Sequence, residues 1–261
     1  MKKYFENLIE AVQNFLTELG EITYFAGRFF KEFLVPPYEL QEFLRQCFYI
    51  GYRSLFLVGT TGFIIGLVFT LQSRPTLEEF GAASWIPSMV SVSIVREIGP
   101  IITALICAGK IGSGIGAELG SMRVTEQIDA MEVSGTNPFK YLVITRILAT
   151  TLMLPLLVIF GDFLAIYGSY LVESMKENVS FQLYFNQVFS ILKFSDIVPA
   201  TIKTFFFGFA IGLIGCYKGY YCKKGTVGVG KAANAAVVYT SMLLFVIDFI
   251  AVFVTNIFYD V

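Results

Sequence analysis

An uncharged run of twenty residues, from Ser54 to Ser73, is the feature that most constrains what this chain can fold into. At about 1.5 Å per residue, a helix of that length crosses the ~30 Å hydrocarbon core of a bilayer. Four further apolar stretches, each interrupted by one or two charges, lie near residues 90–109, 147–171, 198–217 and 232–257. Only 15% of the 261 residues are charged, whereas a soluble domain has about 25%. The sequence therefore predicts an all-α membrane protein with five transmembrane helices.

The composition also excludes several classes of function. Nineteen basic residues against twenty acidic residues give a net charge of −1, so there is no basic field to attract nucleic acid. The chain has no histidine, and its four cysteines lack CxxC spacing. Both observations remove the usual metal sites and histidine-based acid–base catalysis. We expect no metal, no cofactor and no catalytic residue.

One short segment resembles a nucleotide-binding loop. Residues 225–231 fit the first seven positions of a Walker A pattern. Ala232 follows, where magnesium binding needs a Ser or Thr hydroxyl, and the segment lies between two apolar spans instead of after a strand. We interpret it as a flexible cytoplasmic turn.

The distribution of Lys and Arg predicts the orientation. The N-terminal segment holds six of them, and the loops after the second and fourth spans hold four each. The opposite side has three, namely Arg74, Lys176 and Lys193. By the positive-inside rule the N-terminus is cytoplasmic, and five crossings place the C-terminus on the far side.

The N-terminal segment has the periodicity of an amphipathic helix. Apolar residues recur every three or four positions at Tyr4, Phe5, Leu8, Val12, Phe15, Leu16, Leu19 and Ile22. We predict a helix that lies in the cytoplasmic interface of the bilayer, with packing against a soluble partner as the alternative. Pro36 and Pro37 end it, and a second short helix follows at about 38–50. Residues 1–50 thus form an interfacial region, and residues 51–261 form the membrane domain.

Five charges fall inside the apolar stretches, and on the predicted orientation all lie in the outer half of the membrane. They are Arg96, Glu97, Asp162, Lys203 and Asp248. A charge at this depth costs at least ~2.5 kcal/mol, so such residues are candidates for function. We expect one polar layer in which four of them, all except Asp162, pair across helices and either gate transport or only stabilise the bundle. Pro100 predicts a bend beside this layer.

Glycines at GxxxG spacing indicate where helices approach closely. Three such pairs are Gly62 with Gly66, Gly112 with Gly116, and Gly208 with Gly212.

The loop between the second and third spans predicts a short helix. Thr125 suits its N-cap, Glu126 and Asp129 suit its first turn, and Gly135 suits its C-terminal end. Pro138 forbids the helix from resuming after it. The helix would span about nine residues, with Ile128 and Met131 as apolar knobs in a polar rim. It suits insertion into a groove on another protein, and the alternative is a surface helix that only bridges two spans.

These residues resemble a known family. The resemblance rests on Arg96-Glu-Ile-Gly-Pro100, on residues 108–123, on residues 125–132 and on Gly228-Val-Gly-Lys-Ala232. In this order they are similar to the MlaE family of ABC transporter permeases. The resemblance implies a non-enzymatic homodimeric permease in the inner membrane of a Gram-negative bacterium. It also implies a cytoplasmic MlaF-like ATPase, a periplasmic MlaD-like MCE lipid-binding protein and an MlaB-like STAS-domain protein on the ATPase. The family moves phospholipids between the inner and outer membranes and so maintains lipid asymmetry.

The resemblance also assigns residues. It places Glu126, Gln127, Ile128, Asp129, Ala130 and Met131 in the coupling helix that docks on the ATPase. It matches Arg96, Glu97, Lys203 and Asp248 to the buried charges of the family. Residues 134–137 are more polar than is usual in this stretch of the family. Two other functions stay open from the residues alone: an ion-coupled secondary transporter and a non-transporting membrane scaffold.

Overall fold

The computed structural model describes the backbone of residues 2–223 and 225–259. Within those ranges all regular structure is helical, without a strand. The side chains of residues 1–12, 14 and 15 are outside the description, and so the predicted apolar stripe is untested at Tyr4, Phe5, Leu8, Val12 and Phe15. In the same stripe Leu16 and Leu19 are exposed.

Eight helical segments follow one another along the described chain. They are α1 (Lys2–Phe33), α2 (Leu40–Glu79), α3 (Ala83–Val124), α4 (Gln127–Val133), α5 (Phe139–Glu177), α6 (Phe181–Ile191), α7 (Phe194–Tyr220) and α8 (Thr226–Tyr259). Five of them, α2, α3, α5, α7 and α8, are long and apolar enough to cross a membrane. Each predicted apolar stretch lies within one of these five helices. The fold is therefore that of an all-α membrane protein with five spans, as predicted.

Two of the spans contain wide turns. In α3, π-helical turns occur at Ile94–Ile98 and Ala108–Gly112. In α5, a π-helical turn forms the first six residues, Phe139–Ile144. The turns at Ala108–Gly112 and Phe139–Ile144 lie before and after α4 in the chain. The turn at Ile94–Ile98 carries Arg96 and Glu97.

The predicted N-terminal boundaries are partly correct. Helix α1 ends at Phe33, just before Pro36 and Pro37, as expected. The predicted short helix at 38–50 is not separate, because α2 is continuous from Leu40 to Glu79. No proline interrupts the chain between residues 38 and 74, so nothing in the backbone ends the helix before the span begins.

The second half of α1 packs against the spans. Phe25 and Phe29 are only 1% and 3% exposed. The ring of Phe25 lies 5.1 Å from that of Phe139 on α5 and 5.7 Å from that of Tyr217 on α7. Aromatic pairs at these distances add stability beyond the area that they bury. This half of α1 is therefore part of the protein core.

Acidic residues fasten α1 to the last two spans. Glu18 accepts hydrogen bonds from Lys218 Nζ on α7 and from Tyr239 Oη on α8, the latter at 2.5 Å. Glu21 accepts a hydrogen bond from Tyr217 Oη, also at 2.5 Å. Burial opposes ionisation of Glu18, but the hydrogen bonds from Lys218 and Tyr239 outweigh it and lower the pKa of this carboxyl. The contact is thus made by a carboxylate.

Small residues allow the closest helix contacts. A Cβ atom on Gly62 would lie 2.6 Å from the carbonyl oxygen of Gly161, and one on Gly66 would overlap the carbonyl oxygen of Ala165. Helices α2 and α5 therefore touch through their backbones. A Cβ on Gly208 would similarly lie 2.5 Å from the carbonyl oxygen of Thr150, which brings α7 against α5. The contacts of the pair Gly112 and Gly116 are looser.

Helix α8 is anchored in only one half. Its buried residues form one stripe of every fourth position, Ala232, Ala236, Thr240 and Leu244. From residue 245 to residue 258 none is buried.

The Walker-like segment forms the start of this helix. Gly225 has a φ of 98° and α8 begins at Thr226, so the prediction of a flexible turn over 225–231 is wrong. The preceding element is the helix α7, which agrees with the rejection of a nucleotide loop.

Candidate functional site

Lys203 is the centre of an ion-pair cluster between three spans. Its side chain, on α7, is only 4% exposed. Its Nζ donates to Glu97 Oε2 of α3 at 2.6 Å and to Asp248 Oδ1 of α8 at 2.9 Å. The predicted pairing of these three residues across helices is confirmed. One cation faces two carboxylates here, so the cluster carries a formal charge of −1.

Arg96 pairs with a residue that sequence analysis did not identify. Its Nε and Nη2 donate to Asp196 Oδ1 at 2.8 and 2.5 Å. Asp196 Oδ2 also accepts a hydrogen bond from the backbone N–H of Lys193 at 2.9 Å, which caps the start of α7. Asp196 stands just before the apolar stretch at 198–217, outside the segment searched for intramembrane charges. An acidic residue in a first helical turn was the available signal.

A wide turn in α3 presents the two adjacent charges. The π-helical turn Ile94–Ile98 precedes Pro100, and the backbone N–H of Gly99 bonds to the carbonyl of Ile94. Pro100 has no N–H to donate to Arg96, and the shift to wider hydrogen bonds accommodates this loss. The sequence predicted a bend at this point; the structure has a π-helical turn here, and the bend itself stays a prediction.

The ion pairs border a small polar cavity. Its volume is about 70 Å³, and its lining includes Arg96, Glu97, Asp196, Lys203, Thr255 and Asn256. The side chains of Arg96 and Glu97 are 37% and 44% exposed, so this cavity is open. Its charged groups can therefore meet a polar group from outside while Lys203 stays buried.

Asp162 does not belong to this cluster. Among the described residues it forms no hydrogen bond or ion pair, and its buried Oδ1 has no partner. It lies instead on the wall of a separate apolar cavity. Asp162 was not among the four residues predicted to pair, and the structure does not pair it with them.

The short helix between the second and third spans is present but begins differently. Helix α4 runs from Gln127 to Val133, and Glu126 precedes it in a left-handed conformation with φ 60°. Thr125 is not its N-cap, because its Oγ1 donates to the carbonyl of Ser121 at 2.9 Å and so belongs to the end of α3. Gly135, with φ 82°, ends α4 as expected. Pro138 does not block a helix: α5 starts at the next residue.

The outward surface of α4 also differs from the prediction. Ile128 is 0% exposed and packs into the core, so it is not a knob for a partner. Met131 is half-buried against the same core. The exposed residues of α4 are Gln127, Asp129, Ala130, Glu132 and Val133. Val133 is 91% exposed, and it is the apolar residue that a partner would meet.

Two further buried arginines join the spans. Arg74 Nη1 donates to Glu173 at 3.0 Å and Nη2 to Glu177 at 2.5 Å, which links the ends of α2 and α5. Arg146 Nη2 donates to Glu118 at 2.8 Å, which links α5 to the part of α3 that leads into α4. Sequence analysis treated both arginines as loop charges because they lie at the edges of the apolar stretches.

Five apolar helices, joined to one another by buried ion pairs and followed outside by a short helix, define a multi-pass membrane protein with a charged interior. Comparison with known proteins identifies its family. The profile of the family described as Permease MlaE matches residues 43–254. The chain therefore belongs to the MlaE family, and it is an ABC transporter permease and not itself an enzyme.

Individual relatives agree with this assignment. A probable ABC transporter permease protein of Rickettsia felis is 37% identical over 247 residues, which cover 95% of this chain and 94% of the relative. A probable ABC transporter permease protein of Synechocystis sp. is 32% identical, with 87% and 86% coverage. The intermembrane phospholipid transport system permease protein MlaE of Haemophilus influenzae is 31% identical, with 79% and 80% coverage. A permease of this class works with an ATPase partner.

Proposed function

We propose that this chain is the permease subunit of a system that moves phospholipids between the inner and outer membranes of a Gram-negative bacterium and so maintains lipid asymmetry. The similarity to the Haemophilus influenzae protein carries this proposal. The open polar cavity beside Arg96 and Glu97 supports it, because a lipid headgroup needs polar partners within the membrane.

The proposed assembly contains several partners. Two copies of the chain form a homodimer in the inner membrane, with cytoplasmic N-termini and periplasmic C-termini. An MlaF-like ATPase binds on the cytoplasmic side, with an MlaB-like STAS-domain protein on the ATPase. An MlaD-like MCE protein receives or delivers the lipid on the periplasmic side. The Lys and Arg asymmetry of the loops supports this orientation.

We propose α4 and its approach, Glu126–Met131, as the coupling helix that meets the ATPase. Its described side chains fall into two groups, one that packs on the permease and one that faces outward. Ile128 holds α4 on the permease, and Gln127, Asp129 and Ala130 face outward. The neighbouring Val133 offers an exposed apolar side chain at the end of the same helix. Arg123 Nη1 donates to Asp129 Oδ1 at 2.5 Å, which fixes α4 against the end of α3.

Val133→Asp tests the coupling helix. A charge at this position opposes burial in an apolar groove, so we expect the ATPase to be lost when the tagged permease is purified. ATP-dependent transfer of a fluorescent phospholipid from proteoliposomes should fall with it.

Met175→Asp is the matched control. Met175 is 85% exposed near the end of α5, at the opposite end of the span from α4. We expect the ATPase to remain bound to this variant. Retention of the ATPase by Val133→Asp, or equal loss from both variants, would contradict the proposed docking surface. Lipid transfer that follows an ion gradient without the ATPase would favour a secondary transporter instead.

A further inference from the structure

An apolar cavity with one acidic side chain adjoins the polar cavity at Lys203, and Ala200 lines both. Its volume is about 180 Å³. Its walls come from α3, α5, α6 and α7 and include Val95, Pro155, Val158, Phe163, Ile166 and Val188. Asp162 is the one charged side chain among the described residues that line it.

The polar atoms of this cavity are hydrogen-bond acceptors. Asp162 is only 9% exposed, and its Oδ1 lies against Gly99 without a hydrogen-bond partner among the described residues. Thr201 Oγ1 donates to the carbonyl of Ile197 at 2.8 Å, and Thr204 Oγ1 donates to the carbonyl of Thr201 at 2.6 Å. The hydroxyl hydrogens are thereby used, whereas oxygen lone pairs remain. A ligand that completes the site around an ionised Asp162 must therefore bring donors.

The size and entrance of the cavity limit the ligand further. An apolar cavity of about 150 Å³ is large enough to hold benzene. A cavity of about 180 Å³ therefore holds a group of one ring, or a short alkyl chain, together with one small polar group. Phe163 and Phe189 line the cavity and are also 58% and 70% exposed on the outside of the bundle. An entrance beside these two rings, between α5 and α6, would admit a ligand from outside the bundle.

We propose that this cavity binds an ammonium group carried on a small apolar body. The ammonium donates to the Asp162 carboxylate and to the free lone pairs of the threonine hydroxyls, while the hydrocarbon part fills the apolar walls. A buried carboxylate is costly unless a donor or cation compensates it, so an anion or a neutral hydrocarbon of the same size fits the site less well. A free apolar amine and the headgroup of an ethanolamine lipid both present an ammonium group, and the lipid would have to keep its phosphate outside the apolar cavity. The inference does not depend on lipid transport.

Photolabelling of the full-length protein in phosphatidylcholine nanodiscs tests the site. The probe is hexylamine that carries a diazirine, and the matched control is the corresponding methyl ether, which has no donor. After illumination, peptides are mapped by mass spectrometry. We expect the amine to label residues 155–166 and 185–192 at least about tenfold more than the ether, which corresponds to one charge-assisted hydrogen bond.

Four variants give the test its direction. Asp162→Asn keeps the side-chain shape and removes the charge, so amine labelling should fall to the level of the ether. Ala200→Leu fills the cavity and leaves Asp162 in place, so labelling by both probes should disappear. Val188→Phe fills the cavity from α6 and replaces Ala200→Leu if that variant fails to fold. Asp248→Asn removes an intramembrane carboxylate outside this cavity and should leave labelling unchanged.

The outcome also distinguishes the two sources of the ammonium group. In nanodiscs that contain phosphatidylethanolamine, reduced amine labelling identifies the lipid headgroup as the occupant. Unchanged labelling identifies a free amine. Amine labelling of residues 155–166 that survives both Asp162→Asn and the cavity-filling variant would overturn the proposal.

Discussion

At the scale of single residues, Lys203 dominates the energetics of the interior. It forms ion pairs with carboxylates from two other spans while its own side chain is almost completely buried. Removing one member of a buried pair leaves the other charge without compensation, and this loss exceeds the net value of the pair. The cation is therefore the residue of the cluster whose loss the protein tolerates least.

We expect Lys203→Met to destabilise the protein by about 3 kcal/mol, because Glu97 and Asp248 are then left without their cation. Glu97→Gln should cost less than about 1 kcal/mol, because Glu97 is partly exposed and Lys203 keeps Asp248. The free energies of unfolding of both variants are measured in detergent, with circular dichroism as the probe, and are compared with that of the wild type. The reverse order of stability would show that Lys203 does not hold the cluster together.

Residue-level pairing was predictable only in part. Glu97, Lys203 and Asp248 were brought together by their common depth in three spans, since rise per residue converts sequence position into depth. The partner of Arg96 was missed because Asp196 lies before the apolar stretch of α7. Asp162 has nearly the same depth as the cluster but faces another cavity. The direction in which a side chain points around the helix axis depends on packing against neighbouring helices. In a span that is apolar on all sides, sequence periodicity does not indicate this direction.

At the scale of elements, α1 is attached through both rings and carboxylates. Phe25 and Phe29 are buried against α5 and α7, and Glu18 and Glu21 reach α7 and α8. The prediction of an amphipathic helix in the membrane interface covered the whole segment before Pro36, and it stays a prediction. The second half is held by the protein, and its attachment depends on charge.

Glu18→Gln should release this attachment. Amide hydrogen exchange over residues 16–33 should become faster than in wild type, because the glutamine cannot form the charged contact with Lys218. Lys31→Gln, at an exposed position of the same helix, is the control and should leave exchange unchanged.

The wild type should show the same release in acid. The lowered pKa of Glu18 means that its stabilising contribution is complete above the usual value of about 4.5 and disappears as the pH falls through the lowered pKa. A pH-independent difference between wild type and Glu18→Gln would contradict this role.

Element boundaries showed what local chemistry can predict. Gly135 ended α4 as expected, because its positive φ is accessible to glycine. Pro138 was wrongly interpreted as an obstacle, since proline is also favoured where a helix begins. Here Asn137 Oδ1 accepts the backbone N–H of Phe139 at 3.0 Å and so starts α5 at once. A proline between two helices marks a boundary without telling which side of it is helical.

At the scale of the whole molecule, five spans and their order followed from apolar length alone. The contacts between the spans did not, because GxxxG spacing identifies a close approach but not the partner helix. The pair Gly62 and Gly66 meets α5, and the pair Gly208 and Gly212 meets α5 from another side. Helix α5 is therefore the central span, although nothing in its sequence distinguishes it as such.

The orientation of the whole chain can be tested with single cysteines. In a background without Cys47, Cys107, Cys216 and Cys222, we expect Met175→Cys to react with a membrane-impermeant maleimide in cells whose outer membrane is permeabilised. Val133→Cys should react only after the inner membrane is opened, because α4 lies on the cytoplasmic side in the proposed topology. Labelling of Val133→Cys in intact inner membranes would reverse the orientation.

The uneven anchoring of α8 has a mechanical consequence. Side-chain packing holds this helix as far as Leu244 and Ile247, and the next contact along it is the ion pair between Asp248 and Lys203. Van der Waals packing tolerates little displacement, but attraction between charges in an apolar medium decays gradually with distance. The last helix is thus held by packing in its first half and by an ion pair in its second half. An anion that competes for Lys203 would release the second half and leave the packed half in place.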